Sequence, residues 1–249
     1  MKRHIAFLIL AVAVLQSAWA AGKQPAFVMI GDGTMANQTD VETSDVRGWG
    51  QMFSAYVADM EVVNAAQPGM CVRTLTANAG ALDSLLMPYG KKDILFIQFG
   101  QNDLHENQPA QYSPVNVLIQ RLMVIIHAAQ AKKMRVILCT PLAEPFWSNG
   151  QWVDRLGAYP QAIRNVAKSM QLPLVDMEAV SRQWLIQMGE ENAKTYYVDL
   201  VADQSPEGEY LLNEAGASAI SHMAAQELKS LNLRYLSKSI VITDDTNRQ

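Results

Sequence analysis

The chain has 249 residues, nearly half of them apolar, and its 20 basic and 24 acidic side chains leave a net charge of −4. That length holds one α/β domain with a sizeable core. An acidic balance without basic runs excludes nucleic acid and anionic membrane surfaces as natural partners and leaves neutral or weakly charged substrates open.

The first twenty residues read as a processing signal. Lys2 and Arg3 make a basic start, Ile5 to Leu15 are almost wholly apolar, and Ala18-Trp19-Ala20 fits a small-x-small cleavage site. The apolar core is shorter than the roughly 20 residues a membrane span needs. No Cys follows the cleavage site, so a lipoprotein anchor is not expected. The expectation is an exported protein, periplasmic or secreted, with a mature chain of residues 21–249 and no membrane attachment once the signal is removed. Without Lys2 and Arg3 that chain carries 18 basic against 24 acidic side chains, a net charge of −6.

The apolar run Phe27-Val28-Met29-Ile30, stopped by Gly31-Asp32-Gly33-Thr34, predicts a first buried strand ending in a tight polar turn. Trp49, Met52, Phe53 and Tyr56 fall at helical spacing after Arg47-Gly48, with Trp49 as a core anchor. Glu61 to Asn64 predicts a second strand, followed by the breakers Pro68-Gly69. A short helix is expected over Leu82 to Met87, and Asp93 to Phe99 gives a third, central strand. Pro114 to Lys132 carries a helical stripe of Val117, Leu118, Leu122, Ile125 and Ile126, and Arg135 to Thr140 is a fourth strand. Ala143 to Leu156 reads as a long loop bearing Phe146, Trp147 and Trp152. Helices are expected over Tyr159 to Met170, Glu178 to Met188 and Asn213 to Asn232. A short fifth strand lies over Leu172 to Asp176, and an irregular stretch runs from Thr195 to Tyr210. Strand and helix alternate, so the fold class is α/β: a single three-layer α/β/α domain around a five-stranded parallel sheet of flavodoxin-like order 2-1-3-4-5. In that order the strands before Cys71 and within which Cys139 lies are not neighbours, so two buried, inert thiols are expected rather than a disulfide.

Ligands of open α/β sheets bind outside the carboxyl ends of the strands, which places the turn Gly31–Thr34 where chemistry would sit. Several stretches stand at strand ends or helix starts: Gly31-Asp32-Gly33-Thr34-Met35-Ala36-Asn37, Arg47-Gly48-Trp49-Gly50, Asn64-Ala65-Ala66-Gln67-Pro68-Gly69, Phe96-Ile97-Gln98-Phe99-Gly100-Gln101-Asn102-Asp103, Gly157-Ala158-Tyr159-Pro160 and Asn213-Glu214-Ala215-Gly216-Ala217. With these six in this order, the chain resembles the SGNH (GDSL-type) hydrolases, in particular their rhamnogalacturonan acetylesterase branch.

The resemblance implies an ester-cleaving serine activated by a histidine that an acid orients. It also implies an oxyanion hole made of backbone N–H groups and an asparagine amide. These parts supply a lone pair, take its proton and stabilise developing negative charge. Gly69 matches the oxyanion glycine and also satisfies a plain turn reading after Pro68. Asn102 matches the oxyanion asparagine, whose amide can donate to an oxygen. Gln101 stands where this branch usually has His. The nucleophile position is Gly33, without a side chain, and the adjacent Thr34 points elsewhere in a tight turn. Counting back from Asn213 puts Leu211 at the histidine position and Gly208 at the acid, and no histidine lies between His127 and His222. Nucleophile, base and acid are therefore vacated while the oxyanion positions survive.

Two functional classes follow. One is a catalytically inactive relative of a pectin acetylesterase that keeps a cleft beside Asp32, Gly69, Asn102 and the aromatic loop Phe146–Trp152, with Thr34, Gln101 and His105 also lining it. It would bind a glycan, such as acetylated pectic polysaccharide or oligosaccharide, or a partner protein, with Trp147 and Trp152 either stacking on sugar rings or buried beneath their loop. The other is an active hydrolase using Cys71, Asp32, His105 or Asp103 with water. No cofactor and no metal is expected, since no His/Asp/Glu cluster has ligand spacing, and a monomer is expected.

Overall fold

The computed structural model describes residues 23–38, 45–198 and 210–242. The expected signal segment, the tail after residue 242 and Gly208 lie outside the described residues.

Five parallel strands form the sheet. Strand β1 (Ala26–Gly31) pairs with β2 (Glu61–Asn64) on one side and β3 (Ile94–Gln98) on the other; β4 (Arg135–Cys139) follows, and the short β7 (Leu174–Val175) closes the edge. The order β2-β1-β3-β4-β7 is the expected 2-1-3-4-5 order. Residues of β1 and β3 are buried on both faces, as continuous apolar runs require in a sheet covered on both sides.

Strand alternation sends successive side chains to opposite layers. Phe27, Met29, Phe96 and Ile137 pack with Trp49 and Phe53 of the first helical segment, α1 (Trp49–Met52), which continues as a 3₁₀ turn over Phe53–Tyr56. Val28, Ile30, Leu95, Ile97 and Leu138 face the other layer. That layer is built from α2 (Val72–Ala77), α3 (Ala79–Leu86), α4 (Val115–Ala131) and α5 (Tyr159–Met170). The α1 layer is completed by α6 (Met177–Met188), the short α7 (Glu190–Ala193) and α8 (Glu214–Ser230), whose Ile220, Ala224 and Leu228 reach the core.

Three local readings need correction. Helix α2 was not expected, and α3 starts three residues earlier than Leu82. Helix α2 forms because Cys71, in extended backbone, accepts the N–H of Thr74 on its Sγ at 3.4 Å, while Thr74 Oγ1 accepts the Cys71 N–H at 3.0 Å. The pair closes both ends of an N-terminal capping box. The loop over Ala143–Leu156 contains a two-stranded hairpin, β5 (Trp147–Ser148) and β6 (Gln151–Trp152). Its turn residues Asn149 and Gly150 both have positive φ, 51° and 75°, the conformation a two-residue hairpin turn demands. Part of the stretch expected to be irregular is the 3₁₀ turn Lys194–Tyr196. Both cysteines are free and buried. Among the described residues, no helix is long and apolar enough to cross a membrane.

Candidate functional site at the carboxyl edge of the sheet

The turn after β1 folds back on Asp32, whose carbonyl accepts the N–H groups of Met35 (3.2 Å) and Ala36 (3.1 Å). The segment Arg47-Gly48-Trp49-Gly50 lies directly against this turn, with Trp49 N–H donating to Thr34 O at 2.9 Å. A Cβ on Gly48 would fall 1.9 Å from Ala36 O, so only glycine lets the two backbones approach this closely. The Trp49 ring is fully buried, edge-on to Phe53 and Phe96.

From that indole a buried polar chain runs back to the turn. Trp49 Nε1 donates to Gln98 Oε1 (3.0 Å), Gln98 Nε2 donates to Thr34 Oγ1 (2.8 Å), and Thr34 Oγ1 donates to Asp32 Oδ1 (2.6 Å). The same Asp32 oxygen accepts the Thr34 N–H at 3.0 Å. Thr34 carries the turn's one hydroxyl, and both its donor and an acceptor site are engaged. Gly33, at the expected nucleophile position, is buried, and its carbonyl accepts from Gln38 Nε2 at 2.9 Å.

The loops after β2 and β3 meet beside this turn. Gly69 has φ +72°, a left-handed conformation that glycine adopts without strain. Asn102 Nδ2 donates to the carbonyl of Met70, the next residue, at 3.0 Å, so the fold brings the two expected oxyanion positions together. The junction is held by Asp103, fully buried, whose carboxylate accepts the N–H of Val72 (3.3 Å) and of Gly100 (3.2 Å). Burial pushes its carboxyl up to about 6, against the opposing pull of Ser113, these two N–H groups and Arg73.

The loop after β4 supplies a charged cluster that the sequence reading missed. Gln101 Nε2 donates to Glu144 Oε1 at 2.7 Å, and Arg155 Nε lies 3.3 Å from Glu144 Oε2. Arg155 also donates to the Tyr210 hydroxyl at 2.8 Å and rests 4.9 Å from the Phe146 ring centre. Glu144 is 3% exposed. Burial raises its carboxyl, with Arg155 and Gln101 working the other way. Trp152 Nε1 donates to the Glu144 carbonyl at 2.9 Å and pairs across the hairpin with Trp147; both indoles are half-buried. Their placement is thus intermediate between the two expectations.

Leu211 is half-buried, and its carbonyl accepts the Val198 N–H at 2.9 Å; the neighbouring Leu212 carbonyl takes the Arg47 N–H at 2.8 Å. The Leu211 segment is therefore tied through Arg47-Gly48-Trp49 to the turn after β1. His105 is 6% exposed and Cys71 is fully buried with its sulfur on the α2 cap. Cys139 is also buried, and burial together with the nearby carboxylates of Asp176 and Asp32 pushes its thiol well above the ordinary value. His222 is half-buried, edge-on to Tyr56. Among the described residues, no group of three or more His, Cys, Asp or Glu side chains is placed to hold a metal ion.

The chain is similar to known proteins. Residues 29–217 match the model of the GDSL-like Lipase/Acylhydrolase family. The chain is 27% identical over 215 residues to "Probable rhamnogalacturonan acetylesterase YesY" of Bacillus subtilis (strain 168), covering 86% of this chain and 96% of that one. It is 24% identical over 218 residues to "Rhamnogalacturonan acetylesterase RhgT" of the same organism, covering 85% and 93%. Among solved structures, the Bacillus subtilis protein YxiM superposes with a TM-score of 0.69 at 24% identity, covering 85% of this chain and 58% of that one. With the family model matching residues 29–217, this chain belongs to the GDSL-like lipase/acylhydrolase family.

Proposed function

We propose that this chain is a non-hydrolytic member of the acetylesterase branch that binds acetylated carbohydrate, pectic polysaccharide first among them, at the carboxyl edge of the sheet. The observation that carries this reading is the state of the turn after β1. The nucleophile position is Gly33, and the one hydroxyl beside it, Thr34 Oγ1, donates to Asp32 and accepts from Gln98 inside a chain that ends on Trp49. A serine-type mechanism needs a hydroxyl on the nucleophile position itself; Gly33 carries none, and the neighbouring Thr34 hydroxyl is engaged as donor and acceptor within the turn. Serine hydrolases that lose a triad member keep only ~10³–10⁴-fold acceleration over water from the oxyanion hole and binding. The acetylesterase relatives support the carbohydrate substrate class.

The test is acetate release from acetylated rhamnogalacturonan by the mature protein beside a Gly33→Ser/Gly208→Asp/Leu211→His variant. Background turnover by the natural chain with a gain in the variant is the expected result. Turnover by the natural chain well above background overturns the non-hydrolytic reading and turns the search to another nucleophile, beginning with Cys71.

A further inference from the structure

A second concavity opens beside the hairpin, between the start of α5 and the first turns of α6. Its volume is about 320 Å³, at the lower end of the range of ligand pockets, and Trp152, Asp154, Gly157, Arg164, Glu178 and Arg182 line it. Nothing in the reading of the sheet edge uses these side chains apart from Trp152. The two places share Glu144: its side chain serves Gln101, while its carbonyl anchors the Trp152 indole.

The chemistry of the lining narrows what could enter. Arg164 grips Asp176 through two parallel bonds of 2.8 Å and also donates to Glu178, while Arg182 Nε donates to Glu178 Oε1 at 2.8 Å. The Asp176 pair raises the Arg164 guanidinium; Asp176, although burial works the other way, is held below the usual carboxylate range by Arg164. With Asp176 behind Arg164, the cluster holds two arginines against three carboxylates, Asp154, Asp176 and Glu178, so it has no surplus positive charge with which to draw an acidic sugar. It does have unused hydrogen-bonding capacity of both signs. Among the described residues, the terminal nitrogens of Arg182, Nη1 of Arg164 and Oδ2 of Asp154 make no bond. These planar groups surround an indole whose N–H is already satisfied and whose orientation is therefore fixed.

Pre-positioned planar donors and acceptors around a fixed aromatic face suit an uncharged ring with apolar C–H faces and vicinal hydroxyls. We propose that this pocket binds one neutral pyranose unit of a glycan, stacked on Trp152 and hydrogen-bonded by Arg182, Arg164 and Asp154. The proposal rests on the carbohydrate reading of the chain but not on the fate of its triad.

Gly157 gives a clean way to fill the pocket. Its φ is +54°, and an added Cβ would meet nothing within 4 Å. Asparagine tolerates that backbone region, so Gly157→Asn adds bulk at the pocket while the fold is kept, as an unchanged melting temperature would verify. The probes are neutral β-1,4-galactotetraose and xylotetraose against charged trigalacturonate, followed by calorimetry and tryptophan fluorescence. Saturable binding of a neutral probe is expected, with Gly157→Asn and Arg182→Ala each weakening it roughly tenfold, one lost contact's worth of affinity. Trp152→Phe should retain part of the binding. Absence of saturable binding by both neutral probes, or preference for trigalacturonate, overturns the proposal. Binding lost in Asn102→Ala but kept in Gly157→Asn also overturns it and moves the glycan to the sheet edge. Binding lost only in the pocket variants sustains it, even where the acetate assay speaks against the function proposed above.

Discussion

The two halves of the sheet's carboxyl edge are built from different materials. On the β1–β3 side, the turn is fixed by close backbone contacts and directed hydrogen bonds: Gly48 against Ala36, Trp49 to Gln98 to Thr34 to Asp32, Asn102 to Met70, and Asp103 on two backbone N–H groups. On the β4–β7 side, ions do the holding: buried Glu144 on Arg155, and nearer the surface Arg164 on Asp176 and Glu178. A directed hydrogen-bond network fixes one geometry because each donor meets an acceptor placed for it, and truncating it strands a buried polar group. An ion-paired network tolerates replacement as a unit, since a well-packed apolar pair of similar volume avoids the desolvation both charges incur. The lesson is that the framework on the β1–β3 side is specified by shape, while the hairpin side is specified by charge.

The largest expected effect breaks the hydrogen-bonded side. Trp49→Ala removes a fully buried ring and leaves Gln98 Oε1 with only the weak Cys139 thiol donor at 3.7 Å, so a loss of ~3–5 kcal/mol for the ring plus about 1 kcal/mol for the weakened amide is expected in urea unfolding. A loss under about 2 kcal/mol would show that the chain from indole to turn is not what fixes the site.

Next comes the charged side. Arg155→Leu alone leaves Glu144 buried without its counter-ion and should cost about 3 kcal/mol. Arg155→Leu combined with Glu144→Leu should recover most of that loss. If the double variant is as unstable as the single one, the ion pair is as shape-specific as the Trp49 chain and the contrast between the halves fails.

The smallest effect is a pH dependence. The Asp103 carboxyl is raised from 3.8 to about 6 by burial. A raised acid binds more protons in the folded state than in the unfolded one, so stability falls as pH rises from about 4 to about 6 and is level above that. Glu144, also raised by burial, contributes with the same sign. Asp176, held low by Arg164 against the effect of burial, acts in the opposite sense and only in the more acid range below its unfolded value. The Asp103 contribution amounts to at most ~3 kcal/mol. Melting temperatures between pH 4 and 7 should show this slope in the natural chain and a flatter one in Asp103→Asn. Equal slopes in the two proteins would remove Asp103 as the source.

Much of the fold was legible because strands covered on both faces leave unbroken apolar runs, such as Ile94 to Ile97, and because helix stripes such as Leu118, Leu122 and Ile125 recur at the proper spacing. Helix α2 was not legible: Val72 and Thr74 are β-branched, and a cysteine is an unusual N-cap. The hairpin did carry a signal, Asn149-Gly150 between two short polar–aromatic pairs, but the strands are too short for alternation to register. Glu144 and Arg155 are eleven positions apart, and Tyr210 is 55 beyond Arg155. No local period announces such a cluster; the one cue is a carboxylate inside the otherwise apolar run from Pro141 to Phe146. The oxyanion positions were placed by resemblance, and the fold juxtaposes them through the Asn102–Met70 bond.

The bond from Ser221 Oγ to the Trp49 carbonyl spans 172 positions of the chain. It joins the segment that braces the first turn to the last long helix, and so sets an order of events during synthesis. A ribosome that has delivered Trp49 must add those 172 residues before the brace can close, an interval of roughly 10–35 s at ordinary elongation rates. Through that interval an indole destined for full burial lacks its final cover, and the nascent chain presents an aromatic surface to whatever waits at the tunnel exit. The oldest part of the site in chain order is the last to be finished, so a fragment stopping short of α8 would carry the turn's sequence without its shape.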